Sequence, residues 1–202
     1  MTRIALFHSV LGIRSGVLAA ADLFRAAGHD VLVIDQYDGR VFDDYDEAGA
    51  FAESLGYPAL VQGAVAAVAD EPAPFVAAGF SNGAGMAECV TAVRGGSAGG
   101  VLGSLQFSGA LPLEMAGLAD WPGHTPVQLH YSTDDPFRNE GWVASFVAQV
   151  AASGSAMEQF LDYPIAGHLF SDTSMAAEYD EASAALCFER ALDFVGRVGA
   201  GG

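Results

Sequence analysis

The chain has 202 residues, 51% of them hydrophobic, enough to bury one substantial core and too few for two comfortable domains, so residues 1–202 are read as a single domain. With 25 acidic and 8 basic residues its net charge is −17, a field that repels phosphate backbones and anionic membranes, so neither nucleic acid nor a membrane is an expected partner. All 8 basic residues are arginines, which excludes lysine Schiff-base chemistry.

The first apolar run, residues 3–8, reads as a buried strand. The opening MTRIALFHS is too short an apolar stretch for a signal peptide, and no later stretch has the length of a membrane span, so the expected location is cytoplasmic. Helical periodicity over 15–27 follows, stopped by Gly28, and then a second short apolar run at 30–35. The acidic tract 42–47 lacks the alternating ligands of a calcium loop and reads as a solvated loop or helix start. Further on, helical patterns at 58–69, 82–94, 140–152 and 175–198 alternate with strand-like runs at 74–80, 101–107, 127–131 and 158–163. Gly95-Gly96 and Gly154 are the next helix stops, and the glycine-rich stretch 95–103 reads as a turn feeding a strand. Strand and helix in alternation predict an α/β protein: a mostly parallel sheet of about six strands with helices on both faces. Cys89 and Cys187 fall in apolar helical patterns and suit reduced core thiols better than a disulfide.

Gly79-Phe80-Ser81-Asn82-Gly83 matches G-x-S-x-G at the point where a buried strand meets a helix. A serine in that turn is strained, and glycines on both sides keep side chains from colliding with strand and helix. The hydroxyl then stands at the carboxyl edge of the sheet beside the amide groups of a helix start, which favours a developing oxyanion. Gly83-Ala84-Gly85 offers no G-x-G-x-x-G and sits inside the helix pattern, so no nucleotide cofactor is expected. Nor do His, Cys and paired carboxylates occur at metal-ligand spacing, so no metal is expected.

A serine nucleophile needs an imidazole to take its proton and a carboxylate to hold that imidazole. After the strand run 127–131 come Asp134 and Asp135, between which spacing alone does not choose; after the run ending at Tyr163 comes Gly167-His168. The order serine, aspartate, histidine is that of α/β-hydrolases. Of the other histidines, His29 reads as a helix-end residue, His124 as a loop residue and His130 as a buried strand residue, whereas His8 ends the first strand but precedes Ser81. A pocket wall is expected from Ser9, Tyr37, Phe42, Phe107, Phe137, Trp142, Leu169 and Phe170.

Five stretches together make the chain resemble the dienelactone hydrolase family of α/β-hydrolases over nearly its full length: His8-Ser9-Val10-Leu11-Gly12, Asp35-Gln36-Tyr37, Gly79 to Gly83, Asp135-Pro136-Phe137 and residues 163–170. The resemblance implies Asp135 as the acid, His168 as the base, Ser81 as nucleophile, and the backbone N–H groups of Val10 and Asn82 as oxyanion donors. It also implies differences, since the best-known members carry cysteine at the position of Ser81 and a gating glutamate at that of Ser9. An arginine that binds the substrate carboxylate in the family falls on Asp172, which is expected to repel an anionic lactone. The sheet is expected to be trimmed at its amino-terminal side. The implied activity is hydrolysis of a small carboxylic ester or lactone through an acyl-enzyme, without a cofactor. A thioesterase or acyltransferase with the same triad, or a non-catalytic ligand-binding member of the fold, are the alternatives. Nothing in the sequence specifies an oligomeric state.

Overall fold

The computed structural model describes residues 1–71, 74–95 and 100–201. Six strands, β1 (Arg3–Phe7), β2 (Asp30–Ile34), β3 (Phe75–Phe80), β4 (Val101–Phe107), β5 (Val127–Ser132) and β6 (Met157–Tyr163), form one sheet in the order β2-β1-β3-β4-β5-β6, every pair parallel. The strand β3 is buried along its whole length, as the continuous run Phe75-Val76-Ala77-Ala78-Gly79-Phe80 requires of a strand covered on both faces.

Six helices join the strands: α1 (Ser15–Ala26), α2 (Tyr45–Leu55), α3 (Tyr57–Ala67), α4 (Asn82–Arg94), α5 (Glu140–Ala152) and α6 (Glu181–Ala200). On one face, Val17, Ala20 and Phe24 of α1 and Cys187, Phe188, Ala191 and Phe194 of α6 pack on Leu6, Val76, Ala78, Leu105 and Phe107. The opposite face is covered by Leu60 and Ala64 of α3 and Met86, Ala87 and Val90 of α4, then by Val143, Phe146 and Val150 of α5 over β5. Both cysteines are free and buried. Among the described residues no helix is long and apolar enough to cross a membrane.

The acidic tract takes the second of its two readings, a helix start: it opens α2, whose N-cap Asp44 accepts hydrogen bonds from Asp46 N and Glu47 N, both at 2.9 Å. The last helix begins at Glu181 rather than at 175, because Asp180 caps it by accepting from Ser183 N at 2.8 Å. Gly28 and Gly154 end their helices in the left-handed conformation, with φ of 87° and 80°. The stop at Gly95-Gly96 is described only as far as Gly95, the C-cap of α4; residues 96–99 of the glycine-rich stretch lie outside the described residues.

His130, inside β5, is fully buried between Tyr163 Oη at 2.8 Å and Gln128 Oε1 at 2.9 Å. Burial, reinforced by the charge of Arg190, pushes its pKa down to about 3 from the usual 6.5. Between those two values the unfolded chain binds a proton that the folded chain refuses, so this residue's contribution to stability is complete above 6.5 and is lost as the pH falls toward 3. Urea unfolding is expected to show wild-type stability dropping across this window more steeply than that of a His130→Gln variant, by up to about 1.4 kcal/mol per pH unit.

Candidate active site

The strand order reverses between β1 and β3: β2 lies outward of β1 on one side, while β4, β5 and β6 follow β3 on the other. Such a switch leaves a crevice at the carboxyl ends of the strands, where open α/β sheets hold their ligands. The registers Phe7 with Gly79 and Phe80 with Phe107 bring the ends of β1, β3 and β4 level at this rim. Ser81 N donates to Phe107 O at 2.7 Å and Ser108 N to His130 O at 2.8 Å, extending the same rim to β5.

Ser81 stands at the turn from β3 into α4 with φ 51° and ψ −115°, a conformation side chains other than glycine rarely adopt. The turn is tight enough that a Cβ on Gly79 would overlap the carbonyl of Gly83, and a Cβ on Gly83 would overlap that of His8. Both flanking glycines of the pentapeptide are therefore sterically required, and the strain is held by β3 and α4, which are buried on either side of it.

Three loops converge on this serine. His168 Nε2 lies 2.7 Å from Ser81 Oγ, and His168 Nδ1 lies 2.9 and 2.8 Å from the two carboxylate oxygens of Asp135. With a carboxylate on the Nδ1 side, the network assigns the proton to Nδ1 and leaves the Nε2 lone pair facing the serine hydroxyl. Asp135 is buried, and its Oδ1 also accepts from Phe137 N at 2.8 Å, fixing the carboxylate's orientation; Asp134, its neighbour, is exposed. The amide groups of Val10 and Asn82 donate to no backbone acceptor among the described residues, and they sit at the ends of β1 and β3 flanking Ser81.

Two aromatic rings cover the imidazole: Phe137 at 4.7 Å and Tyr45 at 6.1 Å between ring centroids. Tyr45 Oη donates to Glu178 Oε1 at 2.9 Å, and Glu178 Oε2 accepts from Leu169 N at 2.7 Å, tying the start of α2 to the histidine loop. Burial, with the carboxylates of Glu178, Asp135 and Asp172 nearby, pushes the Tyr45 phenol upward, so it remains a donor.

A cleft of about 230 Å³ opens on Ser81 and His168. It is small beside the roughly 300–1,000 Å³ of sites that take drug-sized ligands. Of the expected wall, Phe137 and Trp142 line it; the rest is built by Asn82, Gly85, Ser108, Gly109, Ala110, Leu111, Tyr131 and Asn139. The other expected wall residues lie elsewhere. Phe107 is buried under the sheet, stacked 4.7 Å from Phe80 and 5.3 Å from His130, because alternation along β4 turns it to the α6 face. Leu169 and Phe170 belong to the same core. Tyr37 and Phe42 pack with each other and with Phe51, and Ser9 is buried with its Oγ accepting from Leu11 N at 3.2 Å. Asp172 does not face the cleft either: it is buried against Gly16 at the start of α1, and its Oδ1 accepts from Ser174 N at 2.8 Å and Ser174 Oγ at 2.6 Å. The carboxylate expected there to repel an anionic substrate is instead engaged by Ser174 in its own loop.

Among the competing histidines, His130 is the buried, doubly bonded strand residue its position suggests, and His8 is buried with Nε2 accepting from Gln36 N at 3.1 Å. The missed cleft residues 108–111 follow β4 at the active rim; the one signal for them is their place after a strand whose end neighbours Ser81.

A family model described as the dienelactone hydrolase family matches residues 2–199. Among solved structures, a dienelactone hydrolase-like promiscuous phosphotriesterase from metagenomic libraries is 17% identical with a TM-score of 0.81, over 98% of this chain and 87% of that one. A thermophilic esterase of Thermogutta terrifontis, with propionate bound, is 17% identical with a TM-score of 0.71, over 98% and 84%. A Bacillus cereus carboxylesterase is 16% identical with a TM-score of 0.60, over 98% and 88%. No curated protein sequence matches the chain.

Proposed function

The chain belongs to the dienelactone hydrolase family, and on that premise we propose that it hydrolyses small, uncharged carboxylic esters or lactones with Ser81 as nucleophile, His168 as general base and acid, and Asp135 as the residue that orients the imidazole. The observation that carries this reading is the continuous chain from Ser81 Oγ through His168 to the buried Asp135, with contacts of 2.7 to 2.9 Å.

As the serine oxygen bonds to the substrate carbonyl carbon, its proton passes to His168 Nε2 and the carbonyl oxygen takes up the negative charge. The amides of Val10 and Asn82 are the donors for that charge, and their want of a backbone acceptor supports the assignment. Collapse of the tetrahedral species returns the proton from Nε2 to the leaving alkoxide oxygen and leaves an acyl-serine. Water then repeats the sequence: His168 takes its proton, hydroxide adds to the acyl carbon, and the serine oxygen leaves with the proton. Unlike a cysteine, the hydroxyl cannot wait as its anion at neutral pH, so the base is needed from the first step.

An uncharged substrate is favoured because none of the cleft-lining residues carries a cationic side chain that would pair with a carboxylate. The structurally similar Thermogutta terrifontis esterase is known with propionate bound and also phosphonylated by cyclosarin, which supports both a short acyl group and covalent capture in this fold. The test is a panel of short esters, lactones and thioesters run alongside an alkyl fluorophosphonate. Turnover of the neutral esters with one adduct per chain on the Ser81 peptide is expected. Saturable binding with neither turnover nor adduct would identify a non-catalytic member of the family instead.

A further inference from the structure

Resting on the hydrolase reading above, we propose that Gly85 and Leu111 set the length of acyl chain the cleft accepts, and that Glu88, buried behind Leu111, is the positioning residue that fixes this end of the cleft.

The helix α4 starts beside the nucleophile, so residues three and four apart share one face. Gly85, four residues after Ser81, lines the same cleft one turn along. A Cβ built at Gly85 would stand 3.2 Å from Leu111 Cδ1 and 3.3 Å from Tyr57 Oη, tighter than ordinary contact. The space above Gly85 is therefore just short of one methyl group before Leu111 and Tyr57 close it. The leaving oxygen must receive its proton from His168 Nε2, which places the leaving group on the side of His168 and Phe137. The acyl chain is left with the opposite direction, along α4 toward Gly85 and Leu111.

Residues 108–112 have neither helix nor strand to hold them, and the segment to 113 is pinned by side chains at three points. Ser108 Oγ donates to His168 O at 2.6 Å, Leu111 N donates to Glu88 Oε2 at 3.2 Å, and Leu113 N donates to Gln149 Oε1 at 2.9 Å. The middle pin is the unusual one. Glu88 is wholly buried on α4, one turn beyond Gly85, and its second oxygen has no partner among the described residues. An apolar side chain would fit a helix core at less cost in desolvation, so the carboxyl is explained by what it holds. Burial pushes its pKa well above the usual carboxylate range, and its Oε2 accepts the Leu111 amide.

The experiment compares kcat/KM for p-nitrophenyl acetate, butyrate, hexanoate and octanoate, and for a series of alkyl acetates, in the wild type and in Gly85→Ala, Leu111→Ala, Glu88→Gln and Glu88→Leu. One methylene in an apolar pocket changes specificity by roughly 10- to 200-fold. The ratio of hexanoate to acetate is expected to fall about tenfold in Gly85→Ala and to rise about tenfold in Leu111→Ala. Glu88→Gln keeps an acceptor for the Leu111 amide and is expected to hold the wild-type ratio, whereas Glu88→Leu shifts it in the direction of Leu111→Ala. Ratios that stay together in the first two variants, a change confined to the alkyl acetates, or a Glu88→Gln profile displaced as far as that of Glu88→Leu would each overturn the assignment. Should Glu88→Leu fail to fold, Gly85→Ala and Leu111→Ala still decide the length limit, and Glu88→Ala, which also removes the acceptor for the Leu111 amide, takes its place in deciding the positioning role. A wild type inert toward every ester would instead refute the hydrolase reading, and this inference would fall with it.

Discussion

Replacing Ser81 by alanine is expected to lower kcat for any ester substrate by at least about 10³-fold and to abolish labelling by a fluorophosphonate, with little change in thermal stability. The size follows from what remains: the oxyanion amides and the cleft still bind the substrate, but the only attacking group left is a water without the serine's fixed position 2.7 Å from His168 Nε2. Stability is expected to hold because the strained φ of 51° at Ser81 is imposed by the strand and helix on either side, not by the hydroxyl. Ser108 provides the internal control. It also lines the cleft, yet its Oγ donates to His168 O at 2.6 Å and faces no base. A Ser108→Ala variant is therefore expected to keep its label, and an adduct persisting in Ser81→Ala would point to a different nucleophile and remove the basis of the mechanism.

The legible parts of the sequence were those in which one local rule sufficed. Short apolar runs marked the strands within a residue or two, most plainly β3, which is buried along its whole length and has no polar side to show, and least plainly the part-buried edge strand β6. Ser81, Asp135 and His168 come together because each follows a strand that ends at the same rim. The helix α2 stayed hidden because its inward side is thin: Ala48 is its one fully buried residue, and the rest of its apolar content is partly exposed. Aromatic residues misled for a related reason. Phe107 and Phe170 lie close in sequence to the active rim, but alternation along a strand or the turn of a loop sends the ring under the sheet instead of over it. The segment 108–112 has no periodicity at all, and what places it is long-range, through Glu88, Gln149 and the carbonyl of His168. One clue to it was present: a lone glutamate in the otherwise small and apolar run Gly83-Ala84-Gly85-Met86-Ala87-Glu88-Cys89-Val90 has to bond with something.

Asp135→Asn is expected to reduce kcat by about 10⁴-fold, and Asp134→Asn to leave it within about threefold, although the two residues are adjacent and equally acidic. The difference lies in the tautomer. The Asp135 carboxylate accepts from His168 Nδ1 through both of its oxygens, which keeps the proton on Nδ1 and the lone pair on Nε2. In the variant, Phe137 N at 2.8 Å from Oδ1 would hold the amide oxygen of asparagine where that carboxylate oxygen stands, turning the amide NH₂ toward His168. A donor there favours the tautomer protonated on Nε2, which has no lone pair for the Ser81 proton. Charge is lost as well, since an imidazolium formed during attack would have no buried anion beside it. Asp134 makes neither contribution: its side chain is exposed, and its backbone N donates to Ile165 O at 3.4 Å, a bond that asparagine keeps. Steady-state kinetics on the two variants, with circular dichroism to establish folding, separates the cases. Equal losses in both would mean that the acidity of the loop as a whole matters, and the geometric account of Asp135 would have to be abandoned.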